Sequence, residues 1–254
     1  MSKLADLLRR ATRAEPAPIG FAAGARKTPP SMLVVALIGE SWARGAGEAA
    51  AAGADALLLT GEPPEKELAD ALSKADGRPC GLLAPAADAG QTSQLRTAGI
   101  DFLVLEPQGP STPLQDEGMT FLLRVRDEFT DIQLRTLDTL PLAALYLETG
   151  PPAFTILGQM ELKRISGLAR KPLLVPVQAD VEQHDLFALR DAGVGMVAVD
   201  AVERGGLDLI RRLLPAIAAL PHRRRPRSDD GTAVSLAGAV RGTEEEEEEE
   251  EEED

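Results

Sequence analysis

Three segments of this chain repeat one pattern, and that pattern limits the folds available to it. Ala52-Gly53 is followed by ADALLLT, Ala98-Gly99 by IDFLVLE, and Ala192-Gly193 by VGMVAVD. Each time a helix-like stretch stops at Ala-Gly, an apolar run follows, and a polar residue stands seven positions after the glycine: Thr60, Glu106 and Asp200. Glycine suits a helix end because it adopts the left-handed conformation without a Cβ clash. An apolar run of four to six residues fits a strand covered on both faces, the habit of parallel sheets. Parallel strands need a crossover, usually helical, between them. Residues closing such runs therefore lie at the carboxyl edge of the sheet, where α/β proteins bind ligands.

Extending this reading along the chain gives eight strands. They are Met32–Ile38, Ala56–Thr60, Cys80–Ala84, Phe102–Glu106, Met119–Arg126, Ala143–Glu148, Leu173–Val177 and Met196–Asp200. Helical patterns separate them, except at Pro107–Gly118, where three prolines and two glycines oppose a full helix. Residues 2–13 form an amphipathic helix with Leu4, Leu7 and Leu8 on one face. Eight alternations over residues 32–220 predict a single (β/α)₈ TIM barrel, preceded by a lead-in segment, 1–31, in which Ile19-Gly20-Phe21 plugs the bottom or pairs as an extra piece. An open doubly wound sheet is the competing architecture, since both bury their strands on two faces.

The tail, 221–254, departs from this rhythm. Glu244 to Asp254 account for 11 of the 41 acids, which leaves the body nearly balanced against its 27 bases. Like charges repel and bury little surface, so a disordered acidic tail is expected. Arg223, Arg224, Arg225 and Arg227 stand beside it without interleaved aromatics, a poor pattern for nucleic acid. The tail is instead a candidate contact for a protein partner. A homo-oligomer is left open. Nothing in the sequence approaches the roughly 18 apolar residues of a membrane span, and the N-terminal stretch lacks a signal-like apolar core, so a cytoplasmic protein is expected.

The candidate site follows from the strand ends. Alternate strands contribute inward side chains to one layer of a barrel. Thr60, Glu106, Glu148 and Asp200 therefore form an expected polar ring at the mouth, with Glu106, Glu148 and Asp200 as catalytic candidates. Glu40, Thr60, Arg126 and Gln178 are substrate-binding candidates at neighbouring strand ends. Three close carboxylates need neutralising, by a divalent metal, by a shared proton, or by pairing with Arg126. Arg204, Gly205 and Gly206 open the last helix and are candidates for a phosphate-bearing cofactor. No lysine closes a strand, His184 lies in a helix and His222 in the tail, and Cys80 is the one cysteine. Schiff-base chemistry and a His- or Cys-rich metal site are thereby disfavoured.

The Ala-Gly junctions resemble those of aldolase-type barrels, which include phosphate-binding and flavin-dependent members such as nitronate monooxygenases. The resemblance spans residues 32–220. It implies the barrel fold and a small-molecule ligand at the mouth, with a phosphate- or flavin-bearing cofactor among the options. Two functions follow: an enzyme using an acidic mouth, or a non-catalytic barrel used for binding or assembly.

Overall fold

The computed structural model describes residues 2–12, 30–84, 86–125, 129–148 and 155–221. Ile19-Gly20-Phe21, Arg126 and the acidic tail lie outside them. Helix α1 is Lys3–Thr12, followed by β1 Leu33–Ile38, α2 Trp42–Ala52, β2 Ala56–Leu59, α3 Glu65–Lys74 and β3 Cys80–Leu83. Next come α4 Ala89–Ala98, β4 Phe102–Leu105, β5 Thr120–Arg124, α5 Asp131–Leu137 and β6 Ala144–Tyr146. The last elements are α6 Ile156–Ala169, β7 Leu173–Pro176, α7 Gln183–Asp191, β8 Val194–Asp200 and α8 Gly206–Ala218. All eight strands pair in parallel and in sequence order, and β8 closes on β1. The architecture is the closed (β/α)₈ barrel, not the open sheet. The proline-rich stretch before β5 holds only a 3₁₀ turn, Thr112–Gln115.

The three Ala-Gly junctions end helices as the repeat requires, with Gly53, Gly99 and Gly193 at φ of 100°, 106° and 97°. Thr130 caps α5 through a reciprocal pair with Gln133. Side-chain alternation divides the apolar residues into two clusters. Val34, Leu57, Leu103, Leu145, Val175 and Val197 point outward against the helices. Val35, Leu58, Phe102, Leu122, Leu174 and Met196 fill the interior. Gly81 makes room there, because a Cβ on it would lie 2.1 Å from the ring of the fully buried Phe102.

Helix α1 closes the N-terminal end of the barrel. Leu4, Leu8 and Ala11 join the interior cluster. Its first turn is capped from a distance, with Asp101 accepting from Ser2 Oγ at 2.6 Å, Lys3 N at 2.8 Å and Leu4 N at 2.9 Å. A carboxylate at a helix start satisfies orphan amides and meets the positive end of the dipole.

Candidate functional site

The inward rows of several strands run on past the interior cluster to its C-terminal mouth. Phe102 and Val104 lead to Glu106, Leu122 to Arg124, and Ala144 and Tyr146 to Glu148. By the same alternation Thr60, Gln178 and Asp200 continue the rows of β2, β7 and β8.

Arg124 organises this end. Its Nη1 lies 2.5 Å from Glu106 Oε1, and its Nη2 contacts Glu148 Oε2. The arginine side chain is 18% exposed, Glu106 12% and Glu148 42%. Strand register sets the arrangement, since Arg124 is paired with Tyr146 across β5 and β6, two residues before Glu148. Tyr146 is buried beneath the cluster; burial pushes its phenol up from the ordinary value, and the nearby Arg124 charge opposes that shift. The Nε of Arg124 is buried without a hydrogen-bond partner among the described residues.

The structure thus brings Glu106 and Glu148 together on one guanidinium. Asp200 is engaged in its own turn, its Oδ1 accepting from Val202 N at 2.9 Å and Glu203 N at 3.1 Å. Among the described residues no three Asp, Glu, His or Cys side chains gather closely enough to hold a metal. Arg124 contacts both acids at the mouth; Arg126, the partner expected from the sequence, is outside the described residues. Sequence reasoning missed Arg124 and Tyr146. The signal was present in TFLLR, where Arg124 shares the inward parity of Leu122.

The other candidates occupy separate places. Thr60 is half-buried, and its carbonyl accepts from Trp42 Nε1 at 2.9 Å. Glu40 lies with Arg44, Glu203 and Arg211 in a cleft between α2 and α8. Gln178 is exposed, and its carbonyl accepts from Val181 N at 3.2 Å. Arg204 is exposed at the start of the last helix. Gly205 takes a φ of 90°, and a Cβ on Gly206 would lie 1.9 Å from the Asp200 carbonyl oxygen. Close backbone approach therefore explains Gly206 without a ligand. Three of the loop's amides are also committed internally, Val202 and Glu203 to Asp200 and Gly206 to the Glu203 carbonyl at 2.9 Å.

The sequence matches no protein-family model and no curated protein. Solved structures are similar in fold. A tryptophan synthase alpha-subunit from Pyrococcus furiosus superposes with a TM-score of 0.55 at 13% identity, covering 73% of this chain and 96% of the other. KGPDC from Streptococcus mutans gives 0.59 at 9% identity, covering 73% and 97%. An HpcH/HpaI aldolase from Desulfitobacterium hafniense gives 0.54 at 10% identity, covering 75% and 94%. The chain has the aldolase-type barrel fold. At these identities the likeness establishes architecture, and the chemistry has to be argued from the mouth itself. No helix among the described residues is long and apolar enough to cross a membrane.

Proposed function

We propose that the protein binds a polar small molecule, neutral or cationic, at the C-terminal mouth, with Glu148 as the exchangeable acid/base or ligand-contacting group. The carrying observation is the Glu106–Arg124–Glu148 cluster. An apolar triplet would close the barrel at lower cost, because desolvating ions offsets most of what their attraction returns. Ligand sites of this fold lie at this end. Two carboxylates at the mouth offer acceptor oxygens, which favours amines and hydroxyls over anions. Glu106 and Arg124 are the less exposed pair and hold the half-exposed Glu148 in place. Thermal shift with 1,4-diaminobutane and glucose, against succinate and phosphate, tests the reading. Stabilisation of the wild type by the first pair, lost in Glu148→Gln, supports it. Stabilisation by the anions alone, or by no probe, rejects it.

The non-catalytic alternative rests on a different observation. Ile156, Leu157 and Met160 on α6 are 81%, 75% and 62% exposed, and Ile132 on α5 is 75% exposed. Arg164 of α6 joins the two helices by contacting Asp131 of α5 at 2.7 Å, and it also pairs with Glu161 of its own helix at 2.6 Å. The charges bordering this apolar face are of both signs, so a second copy meets no net repulsion there. Under this reading the protein is a dimer by light scattering, and Met160→Lys makes it a monomer. A monomeric wild type ends it.

A further inference from the structure

The ring of helices leaves a gap between α3 and α4. Helix α3 packs closely on α2, whereas α4 stands off from α3 and buries only Thr92. The sequence of α4, AGQTSQLRTA, offers Leu95 as its single large apolar side chain, so little holds it to its neighbour. Between the two helices lies a groove of about 480 Å³. That is inside the range of about 300–1,000 Å³ typical of small-molecule sites.

The wall of the groove is apolar. Leu68 of α3 and Leu95 of α4 form its sides, and Leu82 of β3 its floor. Ala86, Ala87 and Ala98 line it where larger side chains would fill it. Leaving such a wall open to water forgoes burial that a longer side chain would supply. The polar rim has one sign. Glu62 and Glu65, both exposed, stand at the β2–α3 end, and Gln91 and Gln94 face them from α4. Among the described residues lining it there is no Lys, Arg or His. A fatty acid or a phosphorylated ligand would bring its charge to two carboxylates; an amine would pair with them.

The geometry points to a second ligand site, separate from the mouth, that takes a cationic amphiphile: an apolar chain against Leu68, Leu82 and Leu95, and an amine head between Glu62 and Glu65. Size, apolar lining and single-signed rim each narrow the occupant, and none of them depends on the mouth.

Titration calorimetry of the full chain with monomeric decyltrimethylammonium tests this, with decanoate as the matched anion. The expected result is saturable binding at one molecule per chain, at least about tenfold tighter than decanoate. Gln94→Trp, at an exposed helical position facing the groove, should weaken binding about tenfold or more while the melting temperature stays near wild type. Ala98→Phe fills the groove from the other end of α4 and should do the same should Gln94→Trp fail to fold. The pair Glu62→Gln and Glu65→Gln should bring the two probes to similar affinity. Binding should persist in Glu148→Gln, which separates this site from the mouth. Equal affinity for both probes, uptake of many molecules per chain, indifference to both groove-filling variants, or loss of binding in Glu148→Gln overturns the assignment.

Discussion

Replacing Arg124 by Met removes the charge that Glu106 and Glu148 share while keeping an unbranched side chain of similar reach. Arg124 and Glu106 are 18% and 12% exposed, so the carboxylate left behind is largely out of water. Deleting one partner of a buried pair costs about 3–5 kcal/mol. Glu148 is 42% exposed and can turn into solvent, so the cost falls chiefly on Glu106, which loses its Arg124 contact. The loss should therefore fall at about 2–3 kcal/mol, below the fully buried range. For a domain of this size that corresponds to about 5–10 °C in melting temperature. Adding Glu106→Gln removes that buried charge, and the double variant should recover about 2 kcal/mol relative to Arg124→Met alone. Urea unfolding of wild type, both single variants and the double variant closes the cycle. If Arg124→Met lies within about 0.5 kcal/mol of wild type, or the two changes simply add, the cluster is not a buried, mutually dependent unit and the reasoning about the mouth fails.

Three further outcomes follow from the packing. Gly81→Ala drives a methyl into the Phe102 ring and should cost about 1–3 kcal/mol, partly restored by Phe102→Leu; equal melts of the single and double variants would count against a clash inside the barrel. Burial pushes the Cys80 thiol up to about 12, so at neutral pH alkylation by iodoacetamide should proceed only as fast as the barrel unfolds; rapid reaction of the folded protein would contradict this. Burial also raises Asp55 from its ordinary 3.8, against the Val34 N–H bond and the Arg78 charge. A raised acid binds its proton more tightly folded than unfolded, so its penalty is absent below 3.8 and grows as pH rises through the folded value. Asp55→Asn should accordingly stabilise at pH 7 and lose that advantage on acidification; a gain independent of pH would exclude the titration.

The barrel was legible in the sequence because each of its units is local. A helix end marked by glycine and an apolar run both depend on near neighbours, and so does the inward parity of Glu106 and Glu148. What lay beyond reach depended on pairing between strands. MTFLLRVR carries arginines at 124 and 126 with the same parity, and only the register of β5 against β6 sets Arg124 beside Tyr146 and just below Glu148. Asp200 has the parity of its counterparts, yet two backbone amides of the following turn draw its carboxylate. The bottom of the barrel likewise depends on a distant partner. Helix α1 covers it, and Asp101, far along the chain, caps the first turn of that helix.

That last contact also bears on the order in which the molecule can assemble. Leu4 and its capping Asp101 are separated by 97 positions, and Leu8 lies against Gly195 near the start of the final strand. The helix emerges from the ribosome before any strand, but its seat is complete only after the last strand is in place. Its leucines therefore have no native cover for most of the chain's synthesis. Such distant contacts carry a loop-closure cost that slows folding. Docking of α1 is accordingly a late step, and the interval before it is when a chaperone would find this apolar face.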